Sequence, residues 1–203
     1  MKMLILSAKS YTPQGPNYGD CILIDTGSAL VVYDCGCEEH AQRVEAYMST
    51  NGYSKSIVVL SHNDADHFEG IPYLVEKGLV SKVYTQLFLK HKEDILELLD
   101  DGRATDHSIG ERIKKVYDNI ASLSKRVTLV DALTAGEIVP GVTIVGPTED
   151  YALDTIRKAL DSNESDRIDA ETVINAASIQ VSVDFNQTQC LLCGDASFEA
   201  IKD

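Results

Sequence analysis

The residues in this chain best suited to chemistry lie in one stretch, Ser56–Gly70, which reads SIVVLSHNDADHFEG. It sets His62, Asp64, Asp66 and His67 close together. Two imidazoles and two carboxylates form a mixed nitrogen and oxygen donor set. Such a set suits zinc, manganese or iron better than a site selected by thiolates would. Asn-Asp and Asp-Ala-Asp are also ordinary turn chemistry. A turn, however, has no need of two histidines flanking two alternate acids straight after a core strand. Ile57-Val58-Val59-Leu60 is that strand, apolar and rich in β-branched residues. Loops at strand ends hold functional groups on a rigid base, as a metal site requires.

Other elements must bring partners to this loop. Cys21–Asp25 and Leu30–Tyr33 are apolar runs around Thr26-Gly27-Ser28, a hairpin signal. Gly19-Asp20 precedes the hairpin and Asp34-Cys35-Gly36 ends it. Near the other end, Ser178–Phe185 and Gln189–Leu192 read as antiparallel strands joined at Asn186-Gln187-Thr188. The second runs straight into Cys193-Gly194-Asp195-Ala196, and Asn175-Ala176-Ala177-Ser178 leads into the first.

Taken together, these segments resemble the metallo-β-lactamase fold superfamily. His62-x-Asp64-x-Asp66-His67 is similar to its HxHxDH signature. Asp in the third place, with Asn175-x-x-Ser178, resembles the branch typified by the hydrolase domain of the DNA-uptake competence protein ComEC. The resemblance implies an α/β fold, the αββα four-layer sandwich, helix–sheet–sheet–helix. It implies that His62, Asp64, Asp66, His67 and Asp195 bind metal, with Asp195 bridging two ions and Asp66 essential to catalysis. Asp34, Asn175 and Ser178 would support these ligands from behind. The implied cofactor is one or two divalent ions, zinc or manganese, and three carboxylates tilt the choice toward manganese.

The implied activity is metal-dependent hydrolysis. A cation at such a site lowers the pKa of water and offsets charge developing on a phosphoryl or acyl oxygen. The expected substrate is a phosphodiester in a nucleic acid or nucleotide. The alternatives are a small ester, thioester or lactam on the same site, or a catalytically degenerate member used as a binding or regulatory module. Two departures bear on the choice. No histidine stands just before Ser178, where most members carry a ligand. The chain stops at Asp203, before the helix, strands and His-His-Gly segment with which the branch continues. The C-terminal part of the fold is therefore expected to be missing, through shortening, cleavage or supply by a partner. The uncovered surface around Gln189–Leu192 is expected to support a homodimer.

Composition sets the frame. A chain of 203 residues, 44% hydrophobic, fits a single domain over 1–203. No apolar run approaches the length of a bilayer span, so no membrane partner is expected. The opening Met1–Leu6 reads as the start of a strand, Leu4–Ser7, and not as a signal peptide. Five cysteines, an odd number, suggest reduced thiols and a cytoplasmic location. Cys35 and Cys37 read as packing or spectator thiols, and Cys190 and Cys193 as buried small hydrophobes. The net charge of −14 argues against broad adhesion to nucleic acid or anionic lipid. It leaves a nucleotide substrate open, because bound cations invert the local field.

The remaining pattern places a Pro/Gly-rich loop at Thr12–Asn17 and amphipathic or polar helices at Glu38–Thr50, Phe68–Glu76, Lys92–Asp100, Ser108–Ser124 and Tyr151–Leu160. Strands are expected at Lys82–Thr85, Arg126–Val130, Glu137–Val139 and Val142–Val145. Asp161–Arg167 reads as a mobile loop, and His91 and His107 as surface histidines.

Overall fold

The structure, a computed structural model, describes residues 1–6, 19–86, 118, 120–161, 167–168, 171–185 and 187–202. Thr12–Asn17, Lys92–Asp100, most of Ser108–Ser124, His91, His107, Asn186 and the centre of Asp161–Arg167 lie outside these residues. Among the described residues, ten strands form two main sheets. The first runs in the order β1 (Lys2–Ile5), β2 (Ile22–Asp25), β3 (Leu30–Tyr33), β4 (Ser56–Val59), β5 (Val80–Thr85) and β6 (Thr128–Asp131). Its first three strands pair antiparallel, and β3 to β6 pair parallel. The second sheet has the order β12 (Thr188–Leu192), β11 (Gln180–Phe185), β8 (Val142–Gly146) and β7 (Glu137–Val139), antiparallel throughout. A small ribbon, β9 (Arg167–Ile168) with β10 (Glu171–Thr172), stands apart.

The residue pattern explains which face each strand buries. In β3 every residue is buried, because alternate side chains enter two cores. Leu30 and Val32 pack under the helices, whereas Val31 and Tyr33 face the second sheet. Val58 and Val59 divide in the same way. A sheet covered on both sides reads as a continuous apolar run. The second sheet alternates instead. Val142 and Ile144, with Val181 and Val183, enter the inter-sheet core, while Thr143, Ser182 and Asp184 face outward.

Helix α1 (Glu38–Asn51) packs Ala41, Val44 and Met48 against the first sheet. It opens on Glu38 and Glu39, which suit the positive end of the helix dipole, and ends at Gly52 in the left-handed region. His40 is fully buried on this helix, and neither ring nitrogen has a hydrogen-bond partner among the described residues. On the far side, α6 (Phe198–Lys202) covers the outward face of β11, where Gln180 Nε2 donates to the Ala200 carbonyl. The layers are therefore helix, sheet, sheet, helix, as the resemblance implies. Helix α4 (Glu149–Asp161) is tied to the approach to α6 by Tyr151 Oη and Ser197 Oγ, 2.7 Å apart. No described helix is long and apolar enough to cross a membrane.

Several elements differ from the sequence reading: the first strand is Lys2–Ile5 in place of Leu4–Ser7, and the β9–β10 ribbon was not expected. The single helix expected over Phe68–Glu76 is two, α2 (Ala65–Phe68) and α3 (Ile71–Glu76). The break falls at Gly70, whose N–H donates to the Cys35 carbonyl at 2.7 Å, and a Cβ there would lie 2.4 Å from the Cys37 carbonyl oxygen. Tertiary contact thus overrides a continuous helical pattern. A short helix, α5 (Val173–Ala176), also precedes β11 where no helix was expected. Of the cysteines, Cys21 and Cys35 are buried, whereas Cys37, Cys190 and Cys193 are half-buried, and all five are free thiols. Cys190 and Cys193 are thus less enclosed than expected, because β12 is the edge strand of its sheet.

Candidate metal centre

The loop after β4 is built against two others through its backbone. Asp20 N donates to the Asp66 carbonyl at 2.9 Å and Cys35 N to the His67 carbonyl at 2.9 Å. Gly36 N closes the set on the Asp20 carbonyl at 3.0 Å. These approaches are why the segments carry glycine. A Cβ on Gly19 or Gly36 would sit 1.4 or 1.9 Å from the Asp66 carbonyl oxygen. Gly194 makes the equivalent contact from the second sheet: a Cβ there would meet Ser61 Oγ at 2.8 Å. Tyr33 Oη donates to the Ile179 carbonyl (2.7 Å) and Ile179 N to the Ser61 carbonyl (2.9 Å), which pins the two sheets together beside the loop.

The five ligand-type residues expected from the sequence sit together. His62 Nε2 is 3.9 Å from Asp64 Oδ2 and 3.9 Å from Asp195 Oδ2. His67 Nε2 is 3.9 Å from Asp66 Oδ2 and 3.8 Å from Asp195 Oδ1. Single donor atoms of His62, His67 and Asp195 all lie within 4.8 Å of one another. Asp195 therefore stands astride the site, one oxygen toward each imidazole. Its position comes from the end of β12, far along the chain from the loop it completes.

These separations are too long for hydrogen bonds. Those of 3.8–3.9 Å do fit pairs of donors on one ion, since two atoms each 2.0–2.2 Å from zinc lie at most about 4.4 Å apart. A second feature tests the fit: His62 Nε2 is buried and has no hydrogen-bond partner among the described residues. A nitrogen in that state, facing two carboxylates, suits a cation. The donor set is buried where it is nitrogen and open where it is oxygen. The imidazole side chains are 2–3% exposed, against 25–41% for Asp66, Asp64 and Asp195. The carboxylate side of the site is thus the side open to solvent.

Asp34, Asn175 and Ser178 lie behind these side chains. Asp34 is fully buried, at φ 57°, a left-handed backbone that Asp tolerates better than most residues. Its carboxylate accepts from Ser61 N and Ser61 Oγ, both at 2.7 Å, and from His67 Nδ1 at 2.8 Å. Asn175 Nδ2 donates to Asp195 Oδ2 at 3.2 Å. Ser178 Oγ lies 3.2 Å from His62 Nδ1 and donates to the Asn175 carbonyl at 2.7 Å. The sequence reading missed Ser61. Its hydroxyl lies 3.0 Å from His62 Nδ1 and links that ring to Asp34. Its position directly before the first histidine was the available signal.

The two imidazoles are tuned in opposite directions. Burial and the neighbouring His67 hold the His62 pKa down to about 3. Burial acts downward on His67 too, but the Asp34 hydrogen bond and the charges of Asp34, Asp195 and Asp66 outweigh it and raise the pKa to about 9. At neutral pH the positive charge therefore sits on His67 and not on His62, with the two ring centroids 4.1 Å apart.

Fold and site together define a scaffold of two facing sheets, in which side chains able to hold a metal leave strand ends at the rim between them. The chain belongs to the metallo-beta-lactamase superfamily, whose profile matches residues 14–203. Members of this superfamily are generally hydrolases. The chain is also similar to two solved structures. One is a Thermotoga maritima protein assigned to the metallo-beta-lactamases, at 16% identity over 99% of this chain and 88% of that one, with a TM-score of 0.49. The other is AbOPH, a hydrolase in the beta lactamase superfamily, at 11% identity over 86% of this chain and 54% of that one, with a TM-score of 0.38. No curated protein matches the chain.

Proposed function

We propose that this chain is a metal-dependent phosphodiesterase of the ComEC-like branch, acting on a nucleic acid or nucleotide in the cytoplasm. One observation carries the metal assignment. The two oxygens of Asp195 each face a different imidazole, at 3.9 and 3.8 Å, and each imidazole has its own carboxylate, Asp64 or Asp66. This is a site with two halves, one of His62, Asp64 and Asp195, the other of Asp66, His67 and Asp195. Zinc or manganese suits such donors. A bound divalent cation supplies acidified water and a positive charge for the developing oxyanion.

The chain's own residues set the stage for that chemistry. Asp34 holds His67 through Nδ1, so that Nε2 faces the site. The charge on His67 sits beside Asp66 and Asp195 where a cation of the second half would sit, so cation uptake displaces a proton. Asn175 holds Asp195 through Oδ2, the oxygen on the His62 side. Asp66 joins the site from the first turn of α2, and its carboxylate is part-exposed, within reach of incoming substrate. The phosphodiester reading is supported by the HxDxDH and Asn-x-x-Ser pattern and by the two-cation geometry general to phosphoryl transfer. The free thiols support the cytoplasm.

The test is metal analysis of the purified protein, then hydrolysis of bis(p-nitrophenyl) phosphate, p-nitrophenyl acetate and a chromogenic lactam with zinc or manganese. Manganese- or zinc-dependent cleavage of the diester alone is expected. Cleavage confined to the ester or lactam would move the substrate class. A protein that takes up no stoichiometric metal would be a binding module instead.

A further inference from the structure

We infer that Ser178 is a positioning residue: with Ser61 it holds His62 in the Nδ1–H tautomer, leaving Nε2 as a lone-pair donor toward Asp64 and Asp195. The argument is an accounting of protons. His62 Nδ1 has two hydroxyl neighbours, Ser61 Oγ at 3.0 Å and Ser178 Oγ at 3.2 Å. A hydroxyl has one proton to give and lone pairs to accept with. Ser61 gives its proton to Asp34 Oδ2 at 2.7 Å, and Ser178 gives its own to the Asn175 carbonyl at 2.7 Å. Both of these bonds are shorter than the contacts to the ring, and one ends on a carboxylate. Neither hydroxyl has a proton left for Nδ1, so both accept, and Nδ1 carries the hydrogen.

The other nitrogen agrees. Nε2 is buried and finds no hydrogen-bond acceptor or donor within reach among the described residues. A hydrogen there would be stranded, buried with no acceptor. A lone pair there is directed at the two carboxylate-lined positions 3.9 Å away. A free histidine side chain in water favours the opposite tautomer, so the serines reverse an intrinsic preference. The same backbone turn also holds Asp195 through Asn175. In place of a further ligand, the turn from Asn175 to Ser178 thus orients two ligands of the His62 half.

Only the purpose of the lone pair, cation binding, rests on the function proposed above; the tautomer does not. The experiment uses the full chain with ¹⁵N-labelled histidine, treated with chelator, at pH 7.5. Two-bond ¹H–¹⁵N correlation reads which nitrogen of His62 is protonated. Zinc affinity is then measured by calorimetry. Wild type is expected to show a protonated Nδ1 and a bare Nε2. Ser178→Ala is expected to populate the opposite tautomer and to bind zinc about 10-fold more weakly, the lower end for loss of a partner that orients a ligand. Ser178→Cys fills the same space but accepts poorly, and should behave like Ser178→Ala. Ser178→Thr keeps the hydroxyl and should restore the wild-type pattern.

A wild-type His62 protonated at Nε2 overturns the inference without any variant. So does an unchanged tautomer in both Ser178→Ala and Ser178→Cys, or an alanine-like spectrum in a folded Ser178→Thr. A wild type with the expected tautomer that takes up no zinc would sink the hydrolase reading and leave this one standing.

Discussion

Replacing Asp34 by Asn perturbs the site with little change of shape. Asn fills the same volume and tolerates the left-handed backbone that Asp34 adopts, at φ 57°. The change is therefore chiefly electrical, and it falls on His67, whose Nδ1 donates to Asp34 Oδ2 at 2.8 Å. In the folded protein His67 is raised to about 9 from its ordinary 6.5. A raised pKa means that the folded state keeps a proton which the unfolded chain has released. Its stabilisation is complete below about pH 6.5 and is lost as pH rises through about 9. The gap between 6.5 and about 9 is worth about 3 kcal/mol. His62 works in the other direction. Held at about 3, it refuses a proton that the unfolded chain accepts, so stability falls as pH drops from 6.5 toward 3. The metal-free wild type should accordingly be most stable near pH 6.5. Urea unfolding of chelator-treated protein from pH 6 to pH 9 measures this. Wild type should lose about 2 kcal/mol across the window, about 3 from His67 less about 1 regained from His62, whereas Asp34→Asn should start lower and lose under about 1 kcal/mol. Parallel curves for the two proteins would refute the assignment of the His67 proton to Asp34.

Other perturbations separate site from scaffold. Asp66→Ala should abolish hydrolysis and lower metal affinity, because it removes a ligand-type carboxylate and charge compensation; calorimetry with zinc or manganese checks it, and full activity in this variant would sink the mechanism. In wild type the first equivalent of metal is expected in the Asp66–His67 half, because Asn175 already engages the Asp195 oxygen on the other side; paramagnetic broadening by manganese should reach His67 before His62. Asp25→Ala removes the acceptor of Tyr47 Oη at 2.6 Å and Tyr53 Oη at 2.5 Å, which clamp α1 to the β2–β3 hairpin, and should cost about 2 kcal/mol in urea unfolding without touching metal affinity. His40→Leu replaces a buried ring without hydrogen-bond partners among the described residues and should stabilise by about 1 kcal/mol, most visibly below pH 6.5, because burial holds the His40 pKa down.

The sequence by itself determined what is local. The four loop donors fall between His62 and His67, and the apolar run before them could only be a strand, so ligand type and rigid support were legible together. Alternation along Gln180–Phe185 against the unbroken run at Leu30–Tyr33 likewise follows from one covered face or two. The tertiary structure decided the rest, because it depends on segments that meet only after folding. Asp195 becomes a partner of His62 and His67 because β12 ends where Ser61 and Gly194 touch. The helix over Phe68–Glu76 breaks because Gly70 is pressed onto the Cys35 backbone, a contact that no periodicity encodes. Ser61 matters because its one proton goes to Asp34, which leaves His62 only an acceptor to bond. Residue types along a strand end can specify which atoms are offered. Only packing at ångström separations decides which nitrogen carries a proton and which carboxylate oxygen faces it.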